Sequence, residues 1–181
     1  MEPEQYDRAM PIARDRLALD PIIGDAEVGR WLAALQDSRA RTLRELSSVG
    51  PELVDRVPDG PLASIGTLLY HIALIEADWV AGDILGLDEP PALVALLPWP
   101  DRAADGRLHP VTGLPLSAHI ERLAAVRAFA LDRLSLLSAA DLRQPRAMPD
   151  HDVTPDWVFH HLLQHEAEHR AQIAWIRDAA T

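Results

Sequence analysis

The sequence predicts an all-α protein, a single four-helix bundle, and three features of the chain support this prediction. Four long segments repeat apolar residues at the three-to-four spacing of an amphipathic helix. Prolines, glycines and capping residues interrupt the chain between them, where helices begin and end. No segment alternates apolar and polar residues as a half-buried strand does, although short extended pieces could form around 145–153. Helices with one apolar face bury that face by packing against one another, as they do in a bundle.

The first predicted helix begins at about Asp25 and ends at about Val49, before a Gly-Pro pair. An aspartate suits the start, because its carboxylate accepts hydrogen bonds from the unpaired N–H groups of a first turn. The preceding residues, 1–24, contain several helix breakers and are expected to form an irregular arm. The predicted organisation is therefore an N-terminal arm at 1–24 and one bundle domain at 25–181.

Three further helices are predicted downstream. The second covers about 64–86 and the third about 116–138. The fourth begins at Thr154-Pro155, a hydroxyl cap followed by a proline in the first turn, and runs to the C-terminus. The connection 87–115 is long and rich in proline, so it can run the length of the bundle, whereas a tight connection would force antiparallel neighbours. We therefore expect the second and third helices to be parallel, with this segment crossing over.

Composition and charge exclude several classes of partner. The 181 residues carry 28 acidic and 17 basic side chains, a formal net charge of −11, and no long basic stripe. Such a charge repels the phosphates of nucleic acids and an anionic membrane surface. No apolar run approaches the ~20 residues of a membrane span, and the acidic start of the chain does not have the pattern of a secretory signal. We expect a cytoplasmic protein with no nucleic-acid partner and no membrane partner.

The chain contains no cysteine. Disulfides, iron–sulfur clusters and a protein thiolate nucleophile are therefore excluded. Any bound metal must take nitrogen and oxygen ligands.

Four of the eight histidines lie between 160 and 169, on the fourth predicted helix. At about 100° per residue, His165 and His169 share one face of this helix, with His161 one turn before them. The same face carries three apolar residues, Val158, Leu162 and Ile176. We therefore expect this face to point into the bundle, and His160 on the opposite side to meet solvent.

The inward histidines predict a metal site. Imidazoles four residues apart on a helix have Cβ atoms about 5–6 Å apart, so both can reach one ion. Burying several polar rings without partners is costly, and a metal that takes a lone pair from each ring offsets that cost. On the second helix His71 faces inward by the same arithmetic and is the third candidate ligand. The alternative for His71 alone is a core histidine bonded to a backbone carbonyl, and His161 is expected to line the pocket rather than bind the ion.

Two acidic residues are candidates for a catalytic role beside the metal. Asp78 shares the inward face of His71 but lies two turns along, roughly 10 Å away by helix rise, so it suits the wall of a neighbouring pocket better than ligation. Glu168 lies within the inward face of the fourth helix. Either carboxylate could instead pair with a nearby arginine. Glu76 points away from the His71 face.

The run HEAEH at 165–169 also matches two metalloprotease patterns, H-E-x-x-H and H-x-x-E-H. We reject a protease as the first choice, because few residues follow His169 to supply a downstream ligand and no edge strand is evident to hold an extended peptide. Glu166, which would have to act as the base, lies about 100° away from the ligand face.

Two segments carry a family resemblance, SIGTLLYHIALIEADW at 64–79 and VTPDWVFHHLLQHEAEHRAQI at 153–173. With them, most of the chain from about Gly29 to Arg177 resembles the DinB/YfiT-like superfamily of metal-binding helical bundles. The family pattern is one histidine on the second helix and H-x-x-x-H-R-x-Q on the fourth. Many members have glycine after the arginine, where this chain has Ala171.

The family pattern maps onto His71, His165 and His169, followed by Arg170 and Gln172. The resemblance implies an up-down-down-up bundle and a three-histidine site for zinc, nickel, iron or manganese, with water completing the coordination. It also implies a homodimer and a small-molecule substrate. Related members transfer low-molecular-weight thiols such as bacillithiol or mycothiol, or use a thiol in isomerising a small acid.

The leading functional hypothesis is a metal-dependent enzyme of the S-transferase type. An ion held by three neutral imidazoles keeps open coordination positions, and without cysteine any reacting thiol must arrive as substrate. Asp78, His161 and Glu168 are the candidate catalytic residues, as orienting groups or proton carriers. The alternatives are a metal-dependent hydrolase that uses metal-bound hydroxide, and a non-catalytic, stress-related metal-binding bundle.

Overall fold

Four long helices and two single-turn helices make up the computed structural model, which describes residues 17–60, 62–88 and 90–180. In chain order the helices are α1 Ala26–Leu46, α2 Pro51–Val54, α3 Ile65–Asp78, α4 Pro91–Val94, α5 Leu116–Leu134 and α6 Pro155–Asp178. A short hairpin, β1 Arg146–Ala147 with β2 Asp152–Val153, accounts for the extended pieces expected before the last helix. The all-α prediction is confirmed.

The helix starts follow from capping residues in the sequence. The Asp25 carboxylate accepts a hydrogen bond from the N–H of Glu27 at 2.8 Å, and the Ser64 hydroxyl accepts one from the N–H of Thr67 at 3.3 Å. The end of the second predicted helix differs from expectation. Beyond α3 the chain continues as a π-helical segment, Trp79–Ile84. Such wider turns often occur at functional sites.

Two apolar clusters show the direction of the four long helices. One cluster joins the starts of α1 and α6 to the ends of the second and third long helices: Val28, Leu32, Val80, Ile84, Ala130, Leu134, Val158 and Phe159. The other joins the ends of α1 and α6 to the starts of α3 and α5: Leu46, Ile65, Leu68, Leu123, Val126, Ile173 and Ile176. Thus α1 and α6 run one way and α3 and α5 the other, which is the up-down-down-up order with the predicted crossover.

The crossover is fastened along α3 by hydrogen bonds. The Tyr70 hydroxyl donates to the carbonyl of Trp99 at 2.6 Å and accepts from its N–H at 2.8 Å, while the Thr67 hydroxyl accepts from the N–H of Val111 at 3.1 Å. Between these two anchors, residues 101–109 form a tight turn in which the His109 N–H donates to the carbonyl of Asp101 at 2.9 Å. We call residues 101–109 the crossover hairpin.

A buried network of two arginines and two glutamates lies in the middle of the bundle. Arg39 binds Glu166 at 2.8 Å and Glu76 at 2.7 Å, and Arg127 contacts both glutamates from the other side. The Thr42 hydroxyl also donates to Glu166 at 2.8 Å. All four charged side chains are buried. The charges balance, so the desolvation cost of each is offset by its partners.

The predicted N-terminal arm is only partly described. Residues 1–16 lie outside the described residues, and 17–24 enter α1 without helix or strand. Among the helices of the described residues, none is long and apolar enough to cross a membrane.

Candidate metal centre

Three histidines meet where α3 packs against α6. His165 and His169 lie one turn apart on α6, and His71 reaches them from α3. The Nε2 atom of His165 lies 3.1 Å from Nε2 of His71 and 3.1 Å from Nε2 of His169. One ligand atom from each residue falls within 4.8 Å of the others. The three residues expected to bind the metal therefore converge, although that they ligate an ion stays a prediction.

The spacing of the nitrogens fits a divalent ion. An ion about 2.0–2.1 Å from each nitrogen, with ordinary tetrahedral or octahedral angles, places neighbouring nitrogens roughly 3 Å apart. The two separations of 3.1 Å that involve His165 match that value, and the remaining pair of nitrogens lies within 4.8 Å.

The hydrogen-bond partners of the rings supply a second test of fit. Nδ1 of His71 lies 2.6 Å from a carboxylate oxygen of Asp101, and Nδ1 of His169 lies 2.8 Å from the amide oxygen of Gln172. Both partners accept hydrogen bonds, so each Nδ1 carries the ring hydrogen and each Nε2 presents a lone pair. The Nε2 lone pairs of His71 and His169 both face Nε2 of His165. A neutral His165 ring has at most one hydrogen on that nitrogen, so it can donate to only one of them at a time. A cation at the centre satisfies all three nitrogens.

Burial keeps these rings in the neutral form that binds metals. Burial, reinforced by the neighbouring imidazoles of His169 and His71, lowers the pKa of His165 to about 3. The pKa values of His71 and His169 are lowered mainly by burial as well. Since a metal ligand must lose its proton before it binds, this environment reduces competition from protons near neutral pH.

His71, His165 and His169, which we call the triad, line a cavity of about 760 Å³. One wall is apolar and comes from α3 and the residues before it: Val57, Leu62, Ala63, Leu68 and Ile75. Another part of the wall is the crossover hairpin, which contributes Arg102, Asp105 and Arg107. The protein therefore covers one side of the site with three nitrogens and leaves the other side open to a small molecule.

His161 lines the same cavity, as expected. Its ring stacks on Trp157, with centroids 5.2 Å apart and an angle of 8°, and packs against Trp79 at 4.8 Å. The centroid of the His165 ring is 5.8 Å away. Trp79 belongs to the π-helical segment, so that segment helps to fix the orientation of His161. The neighbouring His160 is exposed, in agreement with its predicted position.

The two carboxylates proposed to accompany the metal lie elsewhere. Asp78 is exposed and lines a different cavity, of about 400 Å³, together with Ala81 and Gly82. Glu168 is also exposed, and its side chain accepts a hydrogen bond from Gln164 at 2.8 Å. The expected inward orientation of Glu168 is therefore wrong, whereas Asp78 lines a pocket separate from the metal site, as its position two turns from His71 suggested. A catalytic role for either residue stays a prediction.

The rotation of α6 explains the error for Glu168. The buried positions of this helix are Val158, Phe159, Leu162, Glu166, Ile173 and Ile176. At about 100° per residue their centre lies roughly 70° away from His165, on the side opposite to Glu168. The histidine pair thus occupies the border between core and cavity, Glu168 faces solvent, and Glu166 belongs to the core. Because Glu166 is paired with Arg39 and Arg127, it is not available as the base that a metalloprotease needs.

Asp101 is the site residue that sequence reasoning missed. It lies in the crossover, 30 positions from His71, and no helical periodicity links the two. Gln172 lies within the face of the fourth helix expected to point inward and in the family pattern, but neither predicts its hydrogen bond with His169.

Comparison with known proteins agrees with this architecture. The sequence profile of the DinB superfamily matches residues 34–173 of this chain. A crystal structure of a conserved protein from Enterococcus faecalis superposes with a TM-score of 0.64 at 18% sequence identity, covering 81% of this chain and 92% of that one. Identity at this level supports the fold alone. No curated protein sequence matches the chain.

Proposed function

Since this chain belongs to the DinB superfamily and carries a three-histidine group that could hold a metal ion, we propose that it is a metal-dependent enzyme acting on a low-molecular-weight thiol. The proposed reaction is of the S-transferase type. The thiol S–H bond breaks and its proton passes to a base, a bond forms between the sulfur and an electrophilic carbon of the second substrate, and the leaving group on that carbon departs with the bonding electron pair.

One observation carries the proposal: three Nε2 atoms converge at the wall of an open cavity. Protein atoms occupy one side of the site, and the 760 Å³ cavity, large enough for a small molecule, adjoins the other. His71, His165 and His169 would hold a divalent ion as neutral imidazoles, and the ion would supply a positive charge that favours the thiolate form of a substrate.

The thiol must come from outside the protein, because the chain has no cysteine. The cavity also favours a particular kind of thiol. Arg102 and Arg107 stand on the crossover hairpin wall, with Asp105 between them, in a chain whose overall charge is −11. An anionic group on the substrate would find two guanidinium groups there, while its apolar part would lie against the α3 side.

His161 is the side chain best placed to take the thiol proton. It lines the cavity, and its ring packs against Trp79 and Trp157, which also contact each other. Burial lowers its pKa, so the ring is neutral and can accept a proton. Asp78 and Glu168 are left out of this proposal, because one lines another cavity and the other faces solvent.

The test is a rate measurement with defined thiols. Protein loaded separately with zinc, nickel, iron or manganese is mixed with neutral and anionic thiols and a generic electrophile, and product formation is followed. We expect acceleration over background that disappears when the metal is chelated. Absence of metal-dependent acceleration with every thiol would reject the proposal. Ester hydrolysis without any thiol would point to the hydrolase alternative instead.

A further inference from the structure

The crossover hairpin contacts the metal centre through one side chain, Asp101. One carboxylate oxygen lies 2.6 Å from Nδ1 of His71, and the other accepts a hydrogen bond from Nε of Arg102 at 2.8 Å. The His71 side chain is almost completely buried, whereas Asp101 is about one-third exposed. Asp101 therefore joins a buried ring of α3 to the wall of the cavity.

We propose that Asp101 is a positioning residue for the metal site: it holds the hydrogen of the His71 ring on Nδ1 and turns Nε2 toward the other two histidines. This proposal rests on the metal-binding part of the proposed function and is independent of the thiol reaction.

The reason lies in the two forms of a neutral imidazole. The ring hydrogen can sit on either nitrogen, and only the nitrogen without it can bind a metal. An ionised carboxylate is purely an acceptor, so its partner nitrogen must be the one that carries the hydrogen. A carboxylate behind a histidine also makes the opposite nitrogen a stronger donor to the ion.

The histidine rings of the triad differ in the hydrogen-bond partners that hold them. His169 is held by Gln172, a neutral side chain on its own helix. His71 is held by a charged side chain from a separate segment of the chain. Asp101 thus supplies the one negative charge in hydrogen-bond contact with a triad ring among the described residues. It partly balances the charge that an ion brings into the site.

A purely structural role, docking the hairpin onto α3, does not account for this contact. The crossover is already attached on both sides of the hairpin, by Tyr70 to Trp99 and by Thr67 to Val111. Loss of the Asp101 carboxylate should therefore leave the hairpin in place while altering His71.

Two variants and one matched control test the proposal. Asp101→Ala removes the acceptor, and Asp101→Asn keeps an acceptor of the same size without the charge. Asp105→Asn removes the same charge from the same hairpin, at a side chain that lines the cavity and accepts from the N–H of Arg107. Circular dichroism and thermal unfolding establish that each variant is folded.

The first measurement is zinc affinity by competition with a chelator. We expect Asp101→Ala to bind zinc about 10–100-fold more weakly than the unchanged protein, as is typical for loss of a support behind a ligand. Asp101→Asn should fall between the two, and Asp105→Asn should stay close to the unchanged protein.

The second measurement identifies which nitrogen of the His71 ring carries the hydrogen. Nitrogen-15 NMR of the metal-free protein should show the His71 hydrogen on Nδ1 in the unchanged protein and in Asp101→Asn, and a population with the hydrogen on Nε2 in Asp101→Ala. A docking role alone would not move this signal.

The outcomes separate the possible failures. If the unchanged protein binds no zinc and, in the same competition assay, no nickel, iron or manganese, both the metal site and this proposal are overturned. If it binds zinc but Asp101→Ala keeps its affinity and ring form, or if Asp105→Asn loses as much affinity, only the proposal for Asp101 is overturned. If the Asp101 effects appear while no thiol reacts, the proposal stands and the thiol reaction fails.

Discussion

The carboxylate of Glu166 accepts a hydrogen bond from Nε of Arg39 at 2.8 Å inside the bundle, although Glu166 directly follows the proposed ligand His165 in sequence. Consecutive residues on a helix point about 100° apart, so α6 can present its histidines to the cavity and this glutamate to the core. The same helix therefore takes part in two separate polar clusters. One is a candidate metal site, and the other is an ion network that supports the bundle.

The ion network predicts a large stability difference between two neighbouring glutamates. Glu166→Gln leaves Arg39 and Arg127 buried with one anion fewer, so the free energy of unfolding should fall by about 3–5 kcal/mol, as for other broken buried ion pairs. Glu168→Gln, the matched change at an exposed position, should alter it by less than about 0.5 kcal/mol. Urea unfolding of the two variants measures both values. Equal effects would show that Glu166 does not carry the network.

Much of the bundle can be predicted from the sequence, because its signals are local. Asp25 and Ser64 act as caps where such residues are expected, and the long proline-rich connection allows a crossover. The four-residue spacing of His165 and His169 places both imidazoles on one side of α6 whatever the helix packs against. These features depend on residues that are close in sequence.

Features that depend on distant partners could not be predicted in the same way. Arg39, Glu76 and Arg127 carry charge and so have the pattern of surface residues, yet each is buried because its partners come from other helices. For the same reason the charged Glu166 was not counted in the core face of α6, and the inward side of that helix was placed too close to Glu168. The Asp101 contact is set by the path of the crossover, which no periodicity encodes.

His119 predicts a loss of stability in mild acid. Within the described residues, its Nε2 is the one buried side-chain polar atom without a hydrogen-bond partner, and it faces α3 at Gly66. Burial, aided by the nearby charge of Arg122, lowers the pKa of His119 to about 4. Below pH about 6.5 the unfolded chain takes up a proton that the folded protein refuses, so this contribution to stability is present above pH 6.5 and is lost as the pH falls toward 4.

Between pH 6.5 and pH 4 the contribution of His119 should lower the free energy of unfolding by about 3 kcal/mol. Unfolding of the metal-free protein in urea at several pH values measures it. His119→Leu should make the dependence less steep by the share of His119, while the buried histidines of the metal site keep their own contribution. His160→Gln, at an exposed histidine, should leave the dependence unchanged and serves as the control. An unaltered pH profile in His119→Leu would contradict the prediction.

His165 and His161 occupy different positions on α6, so we expect their removal to affect different properties. Loss of His165 should weaken zinc binding, and loss of His161 should slow thiol transfer. His165→Ala removes one of three converging nitrogens and should weaken zinc binding by more than about 100-fold, beyond the usual effect of losing a support behind a ligand. His161→Ala removes a cavity wall residue outside the triad and should keep zinc affinity within a few-fold. Its thiol-transfer kcat should fall by about 100-fold or more, the usual contribution of a proton carrier. Elemental analysis and kinetics of both variants test this split, and loss of zinc from His161→Ala would make it a ligand instead.

The charge of Arg107 at the cavity wall predicts that the protein binds anionic thiols more tightly than neutral ones. Its exposed side chain stands on the crossover hairpin at the wall of the cavity. Replacing its charge in Arg107→Gln should raise KM for an anionic thiol about two- to five-fold, the range expected for one solvent-exposed ion pair, and leave kcat unchanged. KM for a neutral thiol of similar size should not move, because the arginine attracts charge and does not take part in the reaction. Arg107→Lys keeps the charge and should restore most of the affinity for the anionic thiol. If Arg107→Gln changes KM equally for both thiols, the effect comes from the shape of the wall, and selection by charge is wrong.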